Sequence, residues 1–393
     1  VEEFADSVLK QYGHQRININ KSTIAQDFEV KTVVIIDPDE SIRNMLKKIF
    51  EEFGVENIND FADGESAWQY LESSAEPDMI VMEWKIPKIS GPSLIQKIRI
   101  KGFASVAIVI HSSLVGNSDK ALIKEMGGSD VISKPLSHEY LSANIIDVIK
   151  QEQKPATVAA LERKIRQALV AKDYINAKKY YSELEKIPHV PDYIKDILLA
   201  EFVFYDGDYV RAKELALKAM TKLSDSLFLF NLIGKILIKL EQFDLATKFL
   251  DKANAISPQN IQRLVDIAEA KSEMGNTDEA NEALNQAKKI DKDNNLVHEA
   301  EMKIVFNAGE LDKVKVLIQD EEKLRSMVSY FNNKGVSLAK KGQLQESIEL
   351  YNKALQCISL EKKDLYVKVK YNLALGLAKI QNLNESIKHL NEI

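Results

Sequence analysis

The chain has 393 residues, 45% hydrophobic and 28% charged, which fits soluble globular structure and is long enough to predict two or more domains. The formal net charge is −6. Residues 31–150 hold 13 Lys and Arg against 18 Asp and Glu, and residues 151–393 hold 37 against 36, so no segment has the basic excess that nucleic-acid phosphates require. A single cysteine, Cys357, excludes an internal disulfide framework and fits a reducing cytoplasm. Residues 1–30 lack the basic start and apolar core of a signal peptide. The longest apolar stretch, Leu227–Leu240, is interrupted by Asn231, Lys235 and Lys239, which argues against a membrane span.

Residues 1–30 are read as an arm, with a short helix over Glu2–Tyr12. From Lys31 to Lys150, short apolar runs alternate with amphipathic segments. Strands are expected at Thr32–Ile36, Glu56–Asp60, Met79–Met82, Val106–Ile110 and Asp130–Ile132. Helices are expected at Glu40–Phe53, Glu65–Glu72, Ser93–Ile100, Asp119–Met126 and Glu139–Lys150. Five β/α units in one segment predict an α/β domain with a five-stranded parallel sheet covered on both faces.

Polar residues recur where these strands end: Asp37, Glu83, Ser112 and Lys134. Strand ends on one edge of a parallel sheet converge, so the four should share a site. Its carboxylates suit Mg²⁺, and its hydroxyl and ammonium suit phosphoryl oxygens. On these motifs, residues 31–150 resemble the receiver domain of bacterial two-component response regulators, which has the flavodoxin-like fold. Ile35-Ile36-Asp37-Pro38-Asp39-Glu40 resembles the acidic motif that follows the first strand. Pro77 to Pro87, continuing to Gly91, resembles the phosphoacceptor strand and loop. Ser112 matches the hydroxyl position and Ser133-Lys134-Pro135 the Lys-Pro motif, whose resemblance implies a cis bond before Pro135.

The departures from that pattern shape the functional expectation. Pro38 stands where a second acid is usual, and Asp39 lies one place beyond it. Glu83 stands where the phosphoacceptor is usually Asp, and its extra methylene carries the carboxylate about 1.5 Å further out, enough to spoil in-line transfer. Val131 replaces the aromatic switch residue. Mg²⁺ is therefore implied by the resemblance but weakened by Pro38 and Glu83. Glu83 either imitates a phosphorylated Asp or leaves an inert docking platform; a Glu engineered in place of Asp is a third reading.

After a junction at 151–157, the pattern becomes helix upon helix with a period near 34 residues. Ala200, Gly234, Ala268 and Gly335 mark one helix of the repeat. Ala177, Ala212, Ala246, Ala280, Ser347 and Ser386 mark the other. Small residues permit close helix crossings, and Tyr181, Leu250, Leu284 and Tyr351 fill the spaces between. Leu227–Asn260 and Val328–Ser359 resemble the tetratricopeptide repeat. Seven units are expected, starting near 158, 193, 227, 261, 295, 328 and 367. The unit at 295–327 is degenerate, with Met302 and Val314 at its small positions. The last ends inside its second helix, without a polar cap.

Such an array offers a groove for a protein or peptide, expected near Ile197, Glu201, Phe204, Asn231, Lys235, Ile238, Glu269, Asn332 and Asn333. The six histidines lack metal spacing, and His111 is read as a packed or solvated imidazole. No phosphate loop, nucleophile elbow or zinc pattern appears. The expectation is a cytoplasmic, non-enzymatic signalling adaptor. Its receiver would meet a sensor histidine kinase or another response regulator, and its array an unidentified protein, with no DNA-binding output, nucleic-acid or membrane partner. The rivals are a receiver that accepts a phosphoryl group and controls the array, and a scaffold whose receiver only forms a homodimer.

Overall fold

The computed structural model describes residues 23–113, 115–152, 157–318, 320–358 and 363–393; the helix expected over Glu2–Tyr12 lies outside them. The chain divides into two compact units between Pro191 and Asp192.

The first unit begins with a single turn, α1 (Ile24–Asp27), followed by β1 (Thr32–Ile36), α2 (Glu40–Glu52), β2 (Asn57–Phe61), α3 (Gly64–Ser73) and β3 (Met79–Glu83). Next come α4 (Gly91–Ile100), β4 (Ala107–Ser112), α5 (Asn117–Glu125), β5 (Asp130–Ser133) and α6 (His138–Glu152). The five strands are parallel in the order β2-β1-β3-β4-β5. β3 and β4 are buried along their whole length, which is why they read as apolar runs without alternation. Alternate residues divide between two cores. Val33, Ile35, Val81 and Val109 face Leu46, Phe50 and Ile145 of α2 and α6. Val34, Ile36, Ile80 and Ile108 face Leu71, Leu94 and Leu122 of α3, α4 and α5. Ile24, Ala25 and Val30 enter the first of these cores, and the Ala25 N–H donates to the Phe53 carbonyl. The stretch read as arm thus meets the sheet domain before residue 31. Asp78 pins the start of β1 by accepting from the Lys31 and Thr32 N–H groups, both at 2.8 Å.

Helices α7 (Val158–Val170) and α8 (Tyr174–Glu185) complete this unit, so the break in packing lies one helix pair beyond the expected 151–157 junction. The reason is a polar anchor. Arg163 of α7 is buried and donates to the Ala104 and Val106 carbonyls and to Glu152, at 3.4, 3.3 and 2.5 Å. Arg99 converges on the same Val106 carbonyl and also donates to Phe103 and Gly127. Burial pushes the Glu152 carboxyl up, but Arg163 and Lys164 hold it below its usual value.

The second unit contains α9 (Asp192–Asp206), α10 (Tyr209–Met220), α11 (Leu227–Lys239), α12 (Phe243–Ile256), α13 (Ile261–Glu273) and α14 (Thr277–Ile290). It continues with α15 (Asn295–Asn307), α16 (Leu311–Leu317), α17 (Glu321–Lys340), α18 (Leu344–Cys357), α19 (Lys363–Lys379) and α20 (Leu383–Asn391). Consecutive helices pack as antiparallel pairs, and each first helix also touches the next first helix. The small-residue register has a direct cause: a Cβ on Gly234 would fall 2.5 Å from Leu250, and one on Gly335 2.3 Å from the Tyr351 ring. In the 295–327 unit, Met302 and Val314 fill those positions fully buried, and α16 is only 7 residues long. α17 starts at Glu321 rather than near 328, because Asp320 caps it and Leu324 and Met327 add buried contacts.

A left-handed residue closes the first helix of each pair: Lys172, Gly207, Glu241, Gly275, Gly309, Gly342 and Gln381. Only glycine adopts this conformation without steric penalty. Lys172→Gly should therefore raise stability by roughly 0.5–1 kcal/mol. Trp68 and Trp84 are the chain's two tryptophans and both lie in the first unit, so urea unfolding followed by their fluorescence measures this change; an unchanged or lower midpoint contradicts it. Glu241 does more than turn the chain: its carboxylate accepts hydrogen bonds from Ser337 of α17 and from Lys341 just beyond it.

Candidate functional site

The sheet order places β1, β3 and β4 side by side, and Asp37, Glu83 and His111 leave their C-terminal ends on one face. Glu83 and His111 are directly paired in the strand register. Asp37 is 1% exposed and Glu83 7%, so both carboxylates need partners.

Glu83 has them. Lys134 lies 2.6 Å from Oε2, the Lys85 N–H donates to Oε1 at 3.2 Å, and the Ser112 hydroxyl donates as well. Burial pushes the Glu83 carboxyl up, but Lys134, Ser112 and the Lys85 N–H hold it below its ordinary value. Asp37 goes the other way: burial raises it, opposed by the Asp39 N–H, which donates to Oδ1 at 2.6 Å. Arg43 braces this loop by donating to the Asp37 and Pro38 carbonyls at 2.8 and 3.2 Å.

Asp39 turns away from the pocket. It caps α2, accepting from the Ser41 N–H at 2.8 Å and the Ser41 hydroxyl at 2.6 Å, and these bonds lower its pKa. The Lys134–Pro135 peptide is cis. Val131 sits in β5 opposite Ile110, half-buried against the second core. After Glu83, the chain passes the buried Trp84 and returns to Gly91, where a Cβ would come 2.4 Å from the Trp84 carbonyl oxygen. That close approach requires glycine and fixes the loop below the acid.

His111 is the residue that motif reading passed over. It is fully buried, with Nε2 3.5 Å from Asp37 Oδ2 and Nδ1 3.9 Å from Glu83 Oε2. Burial pushes its pKa down to about 4, so the ring is neutral near pH 7. The strand pattern carried the signal: Glu83 ends β3 and His111 lies directly across in β4.

The array residues separate into several environments. Ile197 and Glu201 are buried inside the stack instead of lining a surface, since α9 packs against α10 and α11 there. Asn231 accepts from Arg263 at 2.9 Å. Phe204 packs on Tyr205 and Tyr209. Lys235 and Ile238 are half-buried. Glu269 pairs with Lys303 at 2.7 Å, Asn332 accepts from Asn372 at 2.6 Å, and Asn333 is exposed. A polar network not anticipated joins three first helices: Tyr330 donates to Glu273 and Asn307 at 2.8 and 2.7 Å, and Lys334 reaches both. Glu269 to Lys303 and Glu273 to Asn307 are each 34 residues apart, so the repeat period itself would have brought them together.

The response regulator receiver domain family matches residues 33–146, and tetratricopeptide repeat families match 237–304 and 328–356. Chemotaxis protein CheY1 of Helicobacter pylori strain J99 is 21% identical over 114 residues, 29% of this chain and 92% of that protein. The probable transcriptional regulator ycf27 of Porphyridium aerugineum is 30% identical over 125 residues, 32% of this chain and 50% of that protein. The structure of chemotaxis response regulator CheY4 of Vibrio cholerae is 22% identical, covers 30% of this chain and 98% of its own, and has a TM-score of 0.28. Among the described residues, no helix is long and apolar enough to cross a membrane. The chain carries a response regulator receiver domain at residues 33–146, followed by tetratricopeptide repeats.

Proposed function

We propose that the protein is a two-component signalling adaptor whose receiver holds one state instead of cycling phosphate, while its repeats bind a partner protein. One observation carries this reading: Lys134 and Ser112, the groups that would bind phosphoryl oxygens, are already engaged by the Glu83 carboxylate. A charge placed one methylene further out thus occupies the position of the group it would have to accept. Receiver domains typically bind Mg²⁺, and the residues here do not fit it. Pro38 offers no side-chain oxygen, Asp39 is committed to its helix cap, and the third side chain facing the carboxylates is an imidazole, where Mg²⁺ demands oxygen ligands in octahedral array.

The receiver would present a fixed surface to a sensor histidine kinase or another response regulator, and the array would hold a second protein. The test is incubation of the full chain with acetyl phosphate and Mg²⁺, read by intact mass and peptide mapping. No phosphoryl adduct is expected. A stable adduct on Glu83 would overturn the reading and favour a phosphorylation-dependent switch.

A further inference from the structure

Building on the reading that the repeats bind a partner protein, we infer that helix α17 is an internal latch. Its polar stripe covers an acidic row at the ends of three earlier first helices, and opening it presents that row to a partner that carries a cationic helix.

The row comes first. Glu241 lies just beyond the end of α11, and Glu273 and Asn307 are the last residues of α13 and α15. One repeat separates each from the next, and the packing of first helix on first helix lines them up. A helix C-terminus carries negative partial charge from its unpaired carbonyls. Three such ends with two carboxylates among them favour a cation.

The stripe answers the row residue by residue. Tyr330, Lys334, Ser337 and Lys341 stand at i, i+4, i+7 and i+11, on one face of a helix and about 16 Å from end to end. The Tyr330 hydroxyl lies 2.8 and 2.7 Å from Glu273 and Asn307, and the Lys334 ammonium 3.1 and 2.8 Å from the same two side chains. Ser337 and Lys341 engage the two carboxylate oxygens of Glu241. α17 therefore crosses the row, reaching past its neighbour α15 to α13 and to the turn after α11.

This attachment is separable from the packing of α17 in its own repeat. Leu324, Met327, Val328 and Phe331 bury another face of the helix in a core with Met302 and Tyr351. The stripe adds hydrogen bonds and ion pairs that solvent reaches. The Glu273 and Lys334 side chains are 21% and 25% exposed, and those of Glu241 and Lys341 33% and 49%. Pairs this exposed exchange partners at little cost. A second helix with ammonium groups at the same spacing meets the same acceptors, whereas an acidic helix is repelled.

The experiment adds a labelled alanine-based peptide with lysines at i, i+4, i+7 and i+11 to the full chain, and reads binding by fluorescence anisotropy. A matched glutamate peptide is the control. The unaltered chain should bind the lysine peptide weakly, because only its open fraction competes. Lys334→Met with Lys341→Met vacates the row and should tighten binding about tenfold. Adding Glu241→Gln and Glu273→Gln should remove the gain, and the glutamate peptide should bind no form. Circular dichroism checks each fold; if the double variant does not fold, Lys341→Met alone, with Glu241→Gln as its control, carries the same test at one end of the row. Equal affinity with and without the lysine substitutions, a gain that survives loss of the glutamates, or no binding of the lysine peptide to any form overturns the inference and leaves the stripe a structural brace. A phosphoryl adduct on Glu83 would end the adaptor reading without changing these affinities, so the two failures are distinct.

Discussion

Replacing Arg163 with alanine should lower the stability of the first unit by about 3 kcal/mol. The guanidinium is 8% exposed, lies 2.5 Å from Glu152 and donates to two receiver carbonyls. Breaking one side of a buried ion pair costs about 3–5 kcal/mol, because the surviving charge stays desolvated. Lys164, 3.3 Å from Glu152, remains to share that carboxylate, which puts the loss at the lower end. Arg163→Lys keeps the charge without the fork of donors and should lose less. Urea unfolding followed by tryptophan fluorescence reads this unit alone. A midpoint unchanged by Arg163→Ala would mean that α7 and α8 are held to the receiver mainly by their apolar contacts.

A second large loss is expected in the array. Arg263 is the largest fully buried side chain among the described residues, 1% exposed. From α13 it donates to Asn231 of α11 at 2.9 Å, to Asn254 of α12 at 3.5 Å and to the Ser257 carbonyl. One side chain therefore sets the spacing of three successive helices. Arg263→Ala leaves acceptors unpaired beside a new cavity, and about 3–4 kcal/mol should be lost. Amide hydrogen exchange by peptide would show faster exchange across 227–273, with the receiver peptides unchanged. Uniformly slow exchange across those repeats in the variant would remove Arg263 from this role.

The receiver was legible because its information is local. Buried strands read as runs of Val, Ile and Met, and the helices that cover them carry apolar residues at helical spacing. Glu83, Ser112 and Lys134 were found from strand ends alone. His111 was not, since its meaning depends on register between β3 and β4 and on total burial, neither of which a single-strand pattern reports. The anchoring of α7 was hidden for a related reason. Arg163 looks like any helix-surface arginine until its partners, about 60 residues earlier in the chain, are known. The repeat period located the array, yet Ile197 and Glu201 turned inward where surface was expected, because α9 packs on the next first helix, α11, as well as on its own partner, α10.

Glu241 carries one last consequence. Its contacts with Ser337 and Lys341 span 96 and 100 residues, joining repeats further apart in the chain than those tied by the bonds of Tyr330 and Lys334 to Glu273. Glu241 is 33% exposed and Lys341 49%, so the pair contributes about 1 kcal/mol or less and is screened over about 8 Å at physiological ionic strength. Salt concentration therefore acts as a dial on this clasp. In dilute buffer the turn and helix stay together, and in concentrated salt they part more often, while the apolar interfaces keep the order of the repeats.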